Sequence, residues 1–176
     1  MTEQQENSMR WVAISGSWRA TSSQVEQDVR AAVREIITSG NGIVAGGALN
    51  VDYFATDEAM KLDPTCKQIK VFLPTSLEIY AAHYRKRAQE GVITPKQAEI
   101  LVDQLTRLQN SNPAALIGNP HNKIVDLKIY FERNSEVVNA SDELLAFQVN
   151  KSGGVQDTVD KAKYKGIPVK IFEYTI

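Results

Sequence analysis

Hydrophobic and polar positions along this chain follow two patterns: short, continuous apolar runs alternate with longer segments in which apolar residues recur at helical spacing. The apolar runs predict five strands, at about residues 10–15, 42–46, 69–73, 143–149 and 167–174. Between the runs, apolar residues recur every three or four positions, as they do on the buried face of a helix. Strands that alternate with helices pair in parallel through helical crossovers. We therefore expect an α/β protein with an open, mainly parallel sheet and helices on both faces.

One stretch interrupts this Rossmann-like alternation. Residues 75–122 begin with two consecutive helical stripes, whose capping signals lie at residues 75–78 and 94–95. An Asn-, Pro- and Gly-rich segment at residues 110–122 follows and predicts a loop. We expect a helical hairpin plus a loop, inserted into a single domain that covers residues 1–176. The hairpin is apolar enough to be a candidate surface for a homodimer.

The composition is that of an ordinary globular domain and argues against several classes of protein. Hydrophobic residues make up 43% of the 176 residues, and the formal net charge is −1. A near-neutral charge weakens the case for nonspecific nucleic-acid binding, which needs an excess of Lys and Arg on one face. The single cysteine, Cys66, cannot form an internal disulfide. Residues 1–8 predict a polar, flexible tail, and no apolar run is long enough for a membrane, so we expect a cytoplasmic protein.

Glycine-rich turns follow three of the five predicted strands. The carboxyl ends of parallel strands lie on one edge of a sheet, with the first and fourth ends beside its switch point if the strand order is 3-2-1-4-5. Glycine loops and helix N-termini there present backbone N–H groups that attract anions. Each loop alone is ordinary turn chemistry, but together they predict phosphate-binding loops for a nucleotide-type ligand. The residues are Gly16 and Ser17, then Gly46 and Gly47, then Ser152, Gly153 and Gly154.

Polar residues near these loops complete the candidate site. Asn134 falls on the apolar stripe of a predicted helix and needs a partner, and Arg133 beside it is suited to phosphate or carboxylate. The alternative is that the helix reaches the surface there and Arg133 is solvated. Asp52 follows the second loop and Thr158 the last, and each has the alternative role of capping a helix. No G-x-G-x-x-G or P-loop motif occurs in the places that dinucleotide enzymes or P-loop proteins require. No Cys/His/Asp cluster has metal-ligand spacing, so we predict no metal and no cofactor.

Four segments resemble the SLOG superfamily: VAISGS, IVAGGALNVD, FERNSEVVNASDELLAF and SGGVQDTVDKAKYKGIPV. That superfamily contains the Rossmann domain of DNA-processing protein A (Smf) and the LOG-type phosphoribohydrolases. The chain looks most similar to small bacterial members described as Rossmann-fold nucleotide-binding proteins. The resemblance covers the chain apart from the tail and residues 75–122. It implies a ligand pocket formed by Gly16, Ser17, Gly46, Gly47, Arg133, Asn134, Ser152, Gly153, Gly154 and Thr158.

The last segment departs from the LOG pattern. LOG enzymes carry P-G-G-x-G-T-x-x-E, whose Glu acts with an upstream Arg in cleaving an N-glycosidic bond. Here Gln156 replaces the third Gly, Asp157 the Thr and Asp160 the Glu. We therefore expect first a binding module for a nucleotide or nucleotide-derived ligand, such as a sensor. The alternatives are a nucleoside-monophosphate N-glycosidase that uses Arg133 and Asp160, and a single-stranded DNA-binding factor; the sequence leaves catalysis and a nucleic-acid partner open.

Overall fold

The protein is built on one six-stranded sheet, in a computed structural model that describes residues 8–176. The predicted tail, residues 1–8, lies outside the described residues except for Ser8. The strands are β1 (Trp11–Gly16), β2 (Gly42–Gly46), β3 (Ile69–Phe72), β4 (Leu116–Ile117), β5 (Glu143–Val149) and β6 (Val169–Tyr174). The helices are α1 (Ser23–Thr38), α2 (Val51–Leu62), α3 (Leu77–Gln89), α4 (Pro95–Ser111), α5 (Leu127–Asn139) and α6 (Gly153–Lys165).

All neighbouring strands pair in parallel, in the order β4-β3-β2-β1-β5-β6. The five predicted strands are all present in the order 3-2-1-4-5, but the predicted number was wrong. The sixth strand, β4, lies within the segment 110–122 that the sequence predicted to be a loop. It has two residues, paired with Val71 and Phe72 of β3. A two-residue strand shows no alternation of apolar and polar positions, so its sequence carries no strand pattern.

Helices cover both faces of the sheet, as the sequence predicted. Val12 and Ile14 of β1 belong to the core that includes α1 to α4, whereas Ala13 between them belongs to a second core with α5 and α6. Successive side chains of a strand point to opposite faces, so this division shows one helical layer on each side. The main core therefore lies on the side of α1 to α4.

The helical hairpin α3–α4 is packed into the main core. α4 begins at the predicted position, where Thr94 and Gln97 form a capping box. Its apolar stripe lies in the interior of the chain, and the buried Gln104 donates to the Tyr53 carbonyl at 2.9 Å. Its own chain covers this stripe, so a homodimer surface on the hairpin would have to use its exposed residues instead. The buried stripe residues are Ala98, Leu101, Leu105 and Leu108.

Candidate ligand-binding site

A cavity of about 720 Å³ opens at the carboxyl ends of β1 and β2, beside the turn that leads from β5 into α6. Gly16 at the end of β1, Gly46 at the end of β2 and the first residues of α6 form its floor, while α5 supplies one wall. The chain's strand order reverses between β1 and β5, and open α/β sheets place their ligands at such a switch point. The volume is in the range of small-molecule sites in proteins.

Most of the predicted ligand-binding residues line this cavity, and two do not. The Ser17 hydroxyl donates to the Val149 carbonyl at 3.2 Å and accepts from the Val149 N–H at 3.0 Å, so it ties the loop after β1 to β5. A Cβ on Gly47 would meet the side chains of Leu73 and Leu105, so this glycine faces the core under α4. The lining residues are Gly16, Gly46, Asp52, Arg133, Asn134, Ser152, Gly153, Gly154 and Thr158.

Arg133 is the most informative residue of the cavity. The sequence placed Asn134 on the inward face of α5, yet Arg133 is the more buried of the two, with 8% of its surface exposed. Its Nε donates to Asn134 Oδ1 at 3.3 Å, whereas its Nη1 is buried without a hydrogen-bond partner in the described part of the chain. Gly46 makes room for the guanidinium, because a Cβ at that position would collide with it. The cavity therefore contains a buried cation with an unused donor.

Asp52 is a buried acid that lines the same cavity. Its Oδ2 accepts a 3.3 Å hydrogen bond from the Ala48 N–H. Burial raises the pKa of Asp52 to about 7, against the lowering effect of the nearby Arg133 charge. Burial also lowers the pKa of Arg133, but Tyr80, Asp52, Tyr130 and Tyr84 together more than offset this effect, and its pKa ends above the ordinary value. Arg133 is therefore charged at neutral pH, and within residues 8–176 no acidic side chain lies within salt-bridge distance of it.

The N-terminus of α6 faces the cavity with an unusually bare backbone. Ser152 is its N-cap residue, and the Ser152 side chain makes no capping hydrogen bond. Gly153 and Gly154 are exposed, neither has a positive φ, and a Cβ on either would meet no atom within 4 Å. The fold itself therefore does not require glycine at these two positions. Free N–H groups and open space at a helix N-terminus suit an anion.

A chain of polar contacts fixes α5 against α6 beside the cavity. Asn134 donates through Nδ2 to Asp157 Oδ2 at 3.0 Å, and Lys161 Nζ donates to the same oxygen at 2.7 Å. Lys161 also donates to the Phe131 carbonyl at 2.7 Å. These bonds hold the amide oxygen of Asn134 where it accepts from Arg133. Asn134 therefore positions the guanidinium as well as lining the cavity.

Asp160 does not share the cavity with Arg133. It is exposed in α6, and its Oδ1 accepts from Gln156 Nε2 at 2.8 Å. Asp160 is absent from the residues that line the cavity in the described part of the chain. The structure thus does not bring together the two residues that the sequence suggested for catalysis. Thr158, in contrast, is buried and lines the cavity, where its hydroxyl donates to the Gly154 carbonyl at 3.2 Å.

Solved structures with the same strand and helix arrangement show what this fold is. The chain shares the fold of DNA processing protein A. The Helicobacter pylori protein, reported with a single-stranded DNA binding mode, is 21% identical with a TM-score of 0.67 over 92% of this chain and 64% of that one. The Streptococcus pneumoniae protein is 19% identical with a TM-score of 0.63 over 93% of this chain and 50% of that one. At this level of identity the two structures show the fold alone, and it is the Rossmann-like fold that the sequence resemblance implied.

The same fold also occurs in a protein of another function. A molybdenum cofactor carrier protein from Chlamydomonas reinhardtii is 16% identical with a TM-score of 0.55 over 93% of this chain and 75% of that one. This chain spans 64% and 50% of the lengths of the two DNA processing protein A structures. No protein-family model matches the chain, and no curated protein matches it. Similarity at this level shows the fold, and function has to be argued from the site.

Residues 8–176 contain neither a group of metal ligands nor a helix that could span a membrane. Over that range, no three His, Cys, Asp or Glu side chains are grouped so that they could hold a metal ion. The helices found there are all too short or too polar to cross a membrane.

Sequence reasoning missed the residues that line the outer part of the cavity. Several belong to the hairpin α3–α4, which lies outside the segments that resemble the SLOG superfamily, so no motif marked them. A weak signal existed at Trp18, which directly follows the loop after β1 and is therefore placed near the edge where the site was expected. The missed lining residues include Trp18, Arg19, His83, Tyr84, Arg87, Val92 and Ile93.

Proposed function

We propose that the protein binds a phosphate-bearing nucleotide or nucleotide-derived ligand, with its phosphate between the N-terminus of α6 and Arg133. The observation that carries this proposal is the buried guanidinium whose Nη1 has no hydrogen-bond partner in the described chain. A buried, unsatisfied donor on a charged group costs free energy, and native proteins rarely keep one without a reason. A phosphate would satisfy it with charge-assisted hydrogen bonds.

The residues around Arg133 support the same ligand chemistry. The Gly153 and Gly154 backbone offers N–H groups with no side chain to obstruct a phosphate. Ser152 contributes a hydroxyl that is not used for capping. The Asp52 pKa of about 7 means that the carboxyl is partly protonated at neutral pH, which reduces its repulsion of an anion. These groups come from α2, α5 and α6 and converge on one cavity.

Nucleotides should raise the melting temperature, and Gly154→Ala should reduce that effect without loss of stability. A ligand at about one hundred times its Kd adds roughly 2.7 kcal/mol of stability. The added methyl group meets no protein atom within 4 Å but occupies space in the cavity. Thermal shifts with mono-, di- and cyclic nucleotides at millimolar concentration measure both effects.

Ser23→Ala is a matched control for this experiment. Ser23 is an exposed first residue of α1 and does not line the cavity, so the control should keep the full nucleotide shift. No shift with any nucleotide would contradict the proposal. An unchanged shift in Gly154→Ala would contradict the placement of the phosphate at α6.

We expect little or no release of free base from nucleoside monophosphates, because the carboxylate proposed for that reaction is badly placed. A general acid or charge stabiliser must lie within hydrogen-bond reach of the reacting bond. Asp160 is exposed and bonded to Gln156, outside the cavity. Assays of base release by the wild type and by Asp160→Ala test this. Robust turnover by the wild type that is lost in Asp160→Ala would establish the phosphoribohydrolase instead.

Single-stranded DNA is the other ligand that the fold suggests, because DNA processing protein A from Helicobacter pylori binds it. The formal net charge of −1 disfavours extensive phosphate contacts. A short oligonucleotide therefore belongs in the same panel. Binding that is much tighter than that of mononucleotides and falls steeply with salt would favour this function over the small-molecule site.

A further inference from the structure

The cavity continues outward from its phosphate floor into a part with different chemistry, which we call the outer compartment. It is defined by Trp18, His83, Val92, Ile93 and Leu127. His83 belongs to α3, and Val92 and Ile93 lie in the turn between α3 and α4. The hairpin that sequence analysis treated as an insertion therefore forms one side of the candidate site.

The outer compartment is apolar where it meets solvent. Val92 is 50% exposed and Leu127 67% exposed, although both line the cavity. Trp18 is half-buried and adds an aromatic surface on the side of β1. A phosphate group alone would leave these surfaces in water, whereas a cavity of about 720 Å³ holds a much larger ligand. The outer compartment therefore has the room and the apolar surface for a part of the ligand beyond its phosphate.

The charged groups of this region are engaged in contacts within the protein. Arg87 Nη1 forms a 2.8 Å salt bridge with Glu90 Oε2. Asp126 is the N-cap of α5, and its Oδ1 accepts from the Ile129 N–H at 3.0 Å. The exposed Arg19 lies with its guanidinium 4.8 Å from the centre of the Trp18 ring. The charges of Arg87 and Asp126 are thus partnered within the protein and Arg19 lies on Trp18, so the remaining surface of the compartment is apolar and suits an uncharged ring.

His83 is a polar residue of the outer compartment that is able to hydrogen-bond to such a ring. The centres of the His83 and Tyr84 rings lie 5.7 Å apart in an edge-on arrangement. The His83 nitrogens make no hydrogen bond to any residue of the described chain. Burial lowers the pKa of His83, and the Arg87 charge lowers it further. A neutral imidazole carries one donor and one acceptor. Such a side chain can pair with the polar edge of a heterocycle.

We propose that the outer compartment holds the uncharged heterocyclic base of the nucleotide, and that His83 hydrogen-bonds to an edge of that base. This inference rests on the proposed function, since the phosphate at Arg133 places the base in the compartment. It assigns a specificity role to the hairpin α3–α4. Stacking a base on an aromatic side chain and burying it against apolar ones strengthens binding without regard to charge.

Binding of ribose 5-phosphate and of the four common nucleoside 5′-monophosphates, measured by calorimetry on the full chain, tests this inference. We expect at least one nucleotide to bind about 10-fold or more tightly than ribose 5-phosphate. His83→Ala and Val92→Ser should each reduce that ratio severalfold and leave ribose 5-phosphate binding unchanged. Both residues are partly exposed, so the variants should fold.

Arg85→Ala is the matched control on the same helix, because Arg85 is exposed and does not line the cavity. Arg85→Ala should keep the wild-type ratio of nucleotide affinity to ribose 5-phosphate affinity. If nucleotides and ribose 5-phosphate bind equally well, or if the ratio survives in both variants, the inference is overturned while the phosphate site stands. If neither ribose 5-phosphate nor any nucleotide binds, the proposed function itself is overturned.

Discussion

Replacing Arg133 with methionine should weaken nucleotide binding by about 100-fold or more and leave the protein as stable as before, or more stable. A hydrogen bond to a charged group contributes about 1.5–3 kcal/mol, so two lost bonds to a phosphate account for this factor. Stability should not suffer, because the guanidinium is buried without an ion pair in the described chain. It gives up one 3.3 Å bond to Asn134 and a contact with the Tyr130 ring, whose centre lies 5.4 Å from Cζ. Methionine is flexible enough to fill the vacated space beside Gly46.

Titration calorimetry for binding and urea unfolding for stability measure the two effects separately. Arg107→Met is the matched control, since Arg107 lies exposed on α4 in a surface salt bridge with Asp103 and does not line the cavity. It should change neither binding nor stability appreciably. A large loss of stability in Arg133→Met would show that the buried guanidinium serves the fold. Unchanged affinity in a folded variant would remove Arg133 from the site.

Asp52→Asn should make the protein markedly more stable at pH 8, and the gain should disappear at pH 4. In the folded chain the pKa of Asp52 is raised to about 7, whereas an unfolded aspartate titrates at about 3.9. The folded state therefore holds a proton that the unfolded state releases between these values. The contribution of Asp52 to the free energy of unfolding is fully present below about pH 4 and is lost as pH rises to about 7. The difference between the folded and unfolded pKa values of Asp52 corresponds to at most about 4 kcal/mol of stability.

Urea unfolding of both proteins at several pH values between 4 and 8 measures this difference directly. The asparagine side chain of the variant would keep an acceptor for the Ala48 N–H but bring two donors, which lowers the gain by about 1 kcal/mol if they find no partner. Asp103→Asn is the control, because Asp103 is exposed in α4 and should change stability by less than about 1 kcal/mol at any pH. A stability difference between wild type and Asp52→Asn that does not vary with pH would rule out the raised pKa.

Much of the fold could be predicted because its signals are local. The apolar runs of β1, β2, β3 and β5 and the caps and stripes of the helices depend on neighbouring residues in the chain. The region of the site was also predictable, since glycine-rich turns after parallel strands must meet at one edge of the sheet. The strand β4 was not predicted, because two residues are too few to show a periodic pattern. The position of the hairpin in the core was not predicted either, because it depends on which surface the apolar stripe contacts.

The sequence by itself determined an α/β chain with a parallel sheet, and it determined that the loops after β1, β2 and β5 share one edge. Only the tertiary structure decided which of their residues face the cavity. Ser17 and Gly47 turn to the protein interior, Asp160 turns to solvent, and Arg133 rather than Asn134 is the more buried. Adjacent residues on a helix lie about 100° apart, so a stripe alone leaves both at its margin. Contacts of α5 with β2 and α6, between residues more than twenty positions apart in the sequence, determine that Arg133 is the more buried of the two.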